Sequence, residues 1–351
     1  MENTQTPPTP TTAVIIGRFA ILQIGHEALI KQAKAKYDRV IVLVGSANRR
    51  RNLKNPFETS VIESWIKDID NDILVASIND YTYDENKWIT QVETVVNSLA
   101  QGTITLVGHT RDDSSFYLKE FPNWGFEEVP ALCGDICATE LRNLYFSLTA
   151  LSGNIEYLRD FVPPKVAEYL KEFVDTKEYL DLIEERKYHE AEMDKFKDYP
   201  YKETLKLCCA DMVLVCSGNV LLIQRKFAPG KGTWALAGGF VNGNETFEDC
   251  AVRELYEETG LTIAFKVIRN SIKSYKTFDN PNRNQGIPRM TNAYYAEIDP
   301  DYVGQGKYAK LPKVKASDDA QDAKWIPLAD IKNMQLFDDH ADIIDFFTKS
   351  L

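Results

Sequence analysis

The chain has 351 residues, 44% of them hydrophobic and 26% charged, the composition of a globular protein long enough for two domains. A formal net charge of −11 argues against nucleic acid as the main partner, so an anionic ligand has to be met by local basic side chains or metal ions. No apolar run approaches the length of a membrane span, and the six cysteines include no Cys-x-x-Cys pair. Buried free thiols in a reducing cytoplasm are the expectation, with homo-oligomerisation left open.

Residues 1–12 are polar and Pro-rich, lack an apolar signal core, and read as a short disordered tail. From residue 13 to 175, short apolar or β-branched runs alternate with amphipathic stretches. The runs are Ala13–Ile16, Val40–Val44, Ile73–Ala76 and Ile104–Val107; the stretches include His26–Tyr37 and Thr59–Asp68. This alternation predicts a doubly wound parallel sheet. The first strand ends in Gly17-Arg-Phe-Ala-Ile-Leu-Gln-Ile-Gly-His26 and a helix follows at once, which makes an anion site at the helix N-terminus. Gly25 permits close approach of the backbone, and His26 presents ring donors to a phosphate. Pro163-Pro164 interrupts the pattern before a short helix to Val174.

In Gly17, Arg18, Phe19, Gly25 and His26 the chain resembles the nicotinamide mononucleotide adenylyltransferases, whose pattern reads Gly-Arg-Phe-x-Pro-x-His-x-Gly-His. Ile21 stands in place of the Pro and Gln23 in place of the first His; a Gln amide still donates a hydrogen bond but carries no charge. Val44-Gly-Ser-Ala-Asn48 with Asn55-Pro-Phe57, the segment Asp80–Trp88, and Ile136-Cys-Ala-Thr-Glu-Leu-Arg142 are similar to further segments of that family, in the same order. The resemblance implies adenylyl transfer from ATP to nicotinamide mononucleotide, giving NAD and diphosphate with the help of Mg²⁺ or Mn²⁺. It places His26, Arg18 and Arg142 on the ATP phosphates, and Thr139 and Gly108 around ATP. Trp88 would stack on nicotinamide beside Asn86 and Trp124, and Gly17, Phe19, Gln23, Gly25 and Ile136 would line the substrate site. Trp88 at apolar helix spacing also reads as core. Arg49, Arg50 and Arg51 form a basic loop that could touch substrate phosphate, while at least two of them read as simply solvated. A flavin or pantetheine phosphate as acceptor stays open.

Residues 176–199 are charged and helix-prone and read as a connecting helix ended by Tyr199-Pro200-Tyr201. Beyond it, Ala210–Cys216 and Val220–Arg225 are strand-like runs joined by Ser217-Gly218-Asn219, a hairpin signal. The segment from Gly239 to Leu261 then fixes Gly239, Glu245, Arg253, Glu254, Glu257, Glu258 and Gly260. A chance match to these seven positions in such a chain is on the order of one in a million, which sets aside an ordinary solvated acidic helix. Glu254, Glu257 and Glu258 at i, i+3 and i+4 share one helix face. Carboxylates so close repel unless a hard divalent cation, Mg²⁺ or Mn²⁺, sits among them. The helix should start near Thr246, with Asn244 or Glu245 at its N-terminus, and end at Gly260.

This segment is identified as a Nudix box, and residues 200–351 resemble a Nudix hydrolase. The resemblance implies metal binding by Glu245, Glu254, Glu257 and Glu258, a pairing of Arg253 with Glu245, and substrate contacts from Arg225, Gly238, Gly239 and Arg283. Phe278–Arg283 and Ser317–Pro327 are similar to loops of ADP-ribose-type members, although Asn284-Gln285-Gly286 departs from them. Asp318, Asp319 and Asp322 are candidate general bases and read equally as a solvated turn. The fold class expected is α/β: a doubly wound parallel-sheet nucleotidyltransferase domain at 13–175 and an α/β/α Nudix domain with a mixed sheet at 200–351. The expected ligands are ATP, nicotinamide mononucleotide, NAD and ADP-ribose, with neither nucleic acid nor membrane. Two alternatives remain for the second domain: sensing ADP-ribose or NAD without cleaving it, or hydrolysing another nucleoside diphosphate.

Overall fold

The computed structural model describes residues 9–109, 120–130, 137–148, 151–303, 308–317 and 319–349. The chain divides into two compact units, Met1–Ile183 and Glu184–Leu351.

In the first unit, β1 (Thr11–Gly17), α1 (Ile24–Lys36), β2 (Arg39–Val44), α2 (Thr59–Ile69), β3 (Leu74–Ser77), α3 (Glu85–Leu99), β4 (Thr103–Gly108) and β5 (Gly125–Glu128) alternate along the chain. The strands form one parallel sheet in the order β3-β2-β1-β4-β5. Both faces are buried, which is why the strands read as continuous apolar runs. Ala13, Ile15, Val40, Val42 and Val44 pack with Ile30 of α1 and Ile62 and Ile66 of α2. Their neighbours Val14, Ile41 and Leu43 pack with Val92 and Val96 of α3 on the opposite side. Thr11 and Thr12, assigned to the tail by composition, open β1 instead, and Thr12 is fully buried with its hydroxyl donating to the Gln101 carbonyl. α4 (Ala138–Tyr145), α5 (Leu151–Leu158) and α6 (Pro164–Phe173) follow, with Leu141, Tyr145, Val166 and Leu170 extending the core on the α1 side. α7 (Lys177–Lys195) comes next, and the division between the units falls within it.

The second unit is built on a mixed sheet. β6 (Leu207–Cys216) and β7 (Asn219–Arg225) form the expected hairpin, with Ser217 and Gly218 both at positive φ, as a two-residue turn of this kind requires. β8 (Trp234–Ala235) and β9 (Ala237–Phe240) lead to α8 (Phe247–Thr259), then α9 (Phe265–Asn270), β10 (Ile272–Phe278) and β11 (Arg289–Ile298). β12 (Asp301–Val303) pairs with β13 (Tyr308–Lys310), and β14 (Ala320–Pro327), α10 (Leu328–Ile331) and α11 (His340–Thr348) complete the unit. The sheet order is β10-β11-β6-β7-β14, with β9 on β6 and β8 on β7; β11 and β6 are parallel and their neighbours antiparallel. Adjacent residues of β11 show the layering. Tyr294 joins the core under α8, while Tyr295 stacks on Phe347 of α11. Among the described residues no helix is long and apolar enough to cross a membrane.

Candidate active sites

The first constellation gathers where β1 ends, at the edge where the strand order reverses between β1 and β4. Phe19 takes φ +50°, a left-handed conformation costly for a residue with a side chain. Its ring folds back so closely on Gly17 that a Cβ there would lie 2.9 Å from it. Phe19 is therefore buried core rather than an open substrate contact, and it meets His26 edge-on at 5.1 Å. Gln23 sits at the N-cap of α1, and its backbone N–H donates to His26 Nδ1 at 3.3 Å. The ring thus accepts through Nδ1 and keeps its proton on Nε2. Burial, with Arg142 adding to it, pushes the His26 pKa down to about 4, so the imidazole is neutral.

Arg142 arrives from α4. It donates to the Ala20 carbonyl at 2.7 Å and to Thr139 Oγ1 at 2.9 Å. Burial and then the nearby Arg18 guanidinium lower its pKa to about 10. Arg18, His26, Thr139 and Arg142 are thus brought together, and Gly25 immediately precedes His26 in α1. Gly108 ends β4, the neighbour of β1. Trp124 stacks on Phe121 at 4.3 Å, and Trp88 lies against the same Phe121 at 6.1 Å, partly buried beside the α3 core. Asn86 is exposed in the first turn of α3. Ile136 lies outside the described residues. The arginine loop differs from the solvated reading. Arg50 is 4% exposed, Arg49 donates to the Asp80 carbonyl and to Thr82, and Arg51 binds the Ser46 and Phe57 carbonyls.

The second constellation surrounds α8. Thr246, not Asn244 or Glu245, is the N-cap, sharing a capping box with Asp249, and Gly260 closes the helix at φ +54°. A Cβ on Gly260 would meet the Lys315 carbonyl at 2.8 Å. Arg253 is the hub. Its Nε and Nη2 grip both oxygens of Glu245 at 2.9 and 2.7 Å, and its Nη1 reaches Glu254 and Glu257, each at 2.7 Å. Nη2 also donates to the Phe240 carbonyl at 3.2 Å, tying β9 to the helix. These bonds, with the Asn242 N–H, hold the Glu245 carboxyl down at about 2, and they raise the guanidinium in turn.

Glu258 points into the interior and is 6% exposed. It accepts the Gly238 N–H at 3.0 Å, yet burial pushes its pKa up to about 8, with Glu254 and Asp211 adding repulsion. Glu254 is likewise raised, chiefly by burial. Gly238 is sterically required, since a Cβ there would lie 2.2 Å from Asp211 Oδ1 and 2.5 Å from the Ala210 carbonyl, whereas one on Gly239 would meet the end of the Glu254 side chain, 2.4 Å from Oε1. Asp211, buried on β6 and held by Thr291 Oγ1 at 2.6 Å, was not singled out by the sequence, where it reads as one polar residue in an apolar strand. Among the described residues no group of three His, Cys, Asp or Glu is gathered as a metal-holding set; Arg253 stands among the carboxylates.

Arg225 donates to the Pro229 carbonyl at 2.8 Å and lies 4.2 Å over the Phe337 ring, close enough to favour ionised Glu258. Arg283 is 8% exposed, and its guanidinium pairs with buried Asp339 through two bonds of 2.9 Å. Asp322 is turned to Lys324 at 2.5 Å, Asp319 is exposed, and Asp318 lies outside the described residues. Cys137, Cys216 and Cys250 are buried and not joined in disulfides, whereas Cys208 is exposed. Burial raises Cys250 to about 12.

Comparison with known proteins agrees with both halves of this description. A NUDIX domain model matches residues 208–347. A nicotinamide/nicotinic acid mononucleotide adenylyltransferase of Acinetobacter baylyi is 32% identical over 176 residues, covering 48% of this chain and 89% of that protein. An ADP-ribose pyrophosphatase of Methanocaldococcus jannaschii is 31% identical over 134 residues, covering 38% of this chain and 68% of that protein. The crystal structure of a bifunctional NMN adenylyltransferase/ADP ribose pyrophosphatase from Francisella tularensis superposes with a TM-score of 0.86 at 29% identity, covering 97% of this chain and 99% of that one. A second structure of the Francisella protein, complexed with AMP and a Mn ion, gives 0.83 at 28% identity.

Proposed function

Because the chain belongs to the family of bifunctional nicotinamide mononucleotide adenylyltransferase/Nudix hydrolases, we propose that it runs both reactions, one in each unit. The first unit transfers the adenylyl group of ATP to nicotinamide mononucleotide, forming NAD and diphosphate. The second hydrolyses ADP-ribose to AMP and ribose 5-phosphate.

The observation that carries the first reading is a cluster of donors short of negative charge. Arg18 and Arg142 repel, and His26 beside them is a neutral Nε2–H donor at a helix N-terminus. A polyphosphate relieves that repulsion. No covalent intermediate is needed: the mononucleotide phosphate attacks the α-phosphorus in line, and the two arginines and His26 stabilise charge on the transferring and leaving groups. Thr139 fixes Arg142 for this role. The placed donors here are basic or neutral, so a divalent ion would enter this site with the ATP phosphates rather than on Arg18, His26 or Arg142.

In the second unit Glu254, Glu257 and Glu258 carry the hard oxygens that would hold Mg²⁺ or Mn²⁺ once the two carboxylates gripped by Arg253 gather around the ion. Glu258, held near 8 by burial beside Glu254 and Asp211, is the group whose ionised form such an ion would restore. When bound, the ion offsets diphosphate charge and activates water. The chain's own contribution is positional. Arg253 holds the loop through Glu245 and orients Glu254 and Glu257, while Gly238 and Gly239 let the backbone approach the acidic helix. Arg225, beside Glu258, supplies positive charge for a phosphate. We place the enzyme in the cytoplasm, where its small nucleotide substrates occur.

The two sites separate experimentally. His26→Ala is expected to abolish adenylyl transfer and spare ADP-ribose hydrolysis, and Glu257→Gln to do the reverse, in assays of the full chain with Mg²⁺ or Mn²⁺. Loss of both activities from either change in a folded protein would overturn the assignment of independent sites.

A further inference from the structure

The strand that carries the two glycines changes partner partway along. Trp234 and Ala235 pair with β7, opposite Gln224 and Ile223, whereas Ala237 to Phe240 pair with β6, opposite Met212 to Cys209. Leu236 stands at the crossing and belongs to neither strand. It is 2% exposed, so its N–H has no route to water, and a buried donor left unpaired is costly. The acceptor comes from the far end of the unit: Nδ1 of His340, the first residue of α11, takes the Leu236 N–H at 2.9 Å.

This bond needs a neutral ring with a bare Nδ1. Burial lowers the His340 pKa and keeps it neutral, with Arg283 helping against the opposing pull of Asp211 and Asp339. The ring is also aimed. Asp339, the N-cap of α11, is anchored by the buried pair with Arg283. The preceding residues run beside the crossing, with Leu336 bridging Trp234 and the Phe337 N–H donating to the Trp234 carbonyl at 2.8 Å. Two residues beyond Leu236, the Gly238 N–H meets Glu258, and Gly239 follows against Glu254.

We propose that His340 is a positioning residue of the Nudix site: by holding the Leu236 N–H at the crossing it sets where the diglycine meets Glu254 and Glu258. The proposal rests on the second unit being a hydrolase, and it gives the Arg283–Asp339 pair a role, as the anchor that aims His340.

The test compares His340→Asn, whose side-chain oxygen falls about where Nδ1 lies, with His340→Leu, which has no acceptor. In the Leu variant the Leu236 and Gly238 amides should exchange with deuterium about 10-fold faster or more, a change of about 1.4 kcal/mol. Those of α8 and of the first unit should stay within about threefold. Its kcat on ADP-ribose should fall roughly 10- to 100-fold with KM little changed, and adenylyl transfer should be untouched. The Asn variant should recover exchange and kcat to within about fivefold of wild type. Unchanged exchange at Leu236 in the Leu variant overturns the proposal, as does an Asn variant as impaired as the Leu one. If the Leu variant does not fold, His340→Gln, whose acceptor sits one bond too far out, takes its place. If the wild-type chain does not hydrolyse ADP-ribose, the functional reading fails, and the exchange data still decide the role of His340.

Discussion

Replacing Arg253 by Lys isolates what the guanidinium does beyond carrying charge. Lys keeps the positive charge but presents a single ammonium, where Arg253 presents a planar fork to Glu245 and further N–H groups to Glu254, Glu257 and the Phe240 carbonyl. The Arg253 side chain is 27% exposed and that of Glu245 13%. Such a pair lies between exposed ion pairs, worth about 1 kcal/mol or less, and buried ones, whose breaking costs about 3–5 kcal/mol. Losing the fork while keeping the charge should therefore cost about 2 kcal/mol, or roughly a 30-fold rise in local opening. Deuterium exchange of the α8 amides, measured with a chelator so that no divalent ion supports the carboxylates, reads this directly. ADP-ribose turnover should fall as well, because Glu254 and Glu257 lose their common anchor. Exchange of Phe247–Thr259 within about threefold of wild type would refute the idea that this guanidinium holds the loop onto the helix.

The two glycines should fail differently. Gly238→Ala forces a Cβ against the Ala210 carbonyl and should lower the unfolding free energy by about 3 kcal/mol. Gly239→Ala meets the movable end of Glu254, so it should cost about 1 kcal/mol or less yet abolish hydrolysis; calorimetry beside the ADP-ribose assay separates the two. Nitrogen-15 NMR should find His26 with Nδ1 bare and Nε2 protonated from pH 7 down to about 5, since its pKa is about 4. The unfolded chain takes up that proton near pH 6.5 and the folded one does not, so the first unit should lose stability as pH falls from about 6.5 towards 4 and gain none above that window. Gln23→His should leave this NMR signature unchanged, because the bond to Nδ1 comes from the backbone of residue 23. An altered His26 tautomer in that variant would show that the side chain, not the backbone, sets it.

What could be read from the sequence was local. The i, i+3, i+4 spacing of Glu254, Glu257 and Glu258 and the stop at Gly260 act within α8, where helix geometry leaves few alternatives, whereas the Arg253–Glu245 pairing followed from the family resemblance alone. The alternation of apolar runs gave the parallel sheet because both of its faces are buried. The rest depends on contacts between distant residues. Asp211 beneath Gly238, Asp339 around Arg283 and His340 at Leu236 lie 27, 56 and 104 positions from their partners, and nothing at either end announces the other. Burial was similarly hidden for Arg50: at least two of three consecutive arginines read as solvated, yet Arg50 Nη1 donates to the Arg51 carbonyl and Arg51 Nη2 to the Ser46 carbonyl.

The two sites handle charge in opposite ways, and the difference follows from their substrates. In the first unit Arg18, Arg142 and His26 stand together, and burial makes Arg142 easier to deprotonate than usual. That arrangement is unfavourable alone and favourable once an anion arrives, so a polyphosphate bound there would draw part of its binding energy from relieving it. In the second unit the excess is negative and only partly neutralised, because one guanidinium serves Glu245, Glu254 and Glu257, while burial keeps the Glu258 pKa raised despite Arg225 nearby. A cation binding there would have to draw Glu254 and Glu257 from Arg253 towards Glu258. The overall charge of −11 therefore says little about either site, since each is set by a few residues whose local field opposes or exceeds the average. If ATP binds as proposed, raising the salt concentration should weaken its binding at the exposed Arg18 more than it disturbs the partly buried Arg253–Glu245 pair.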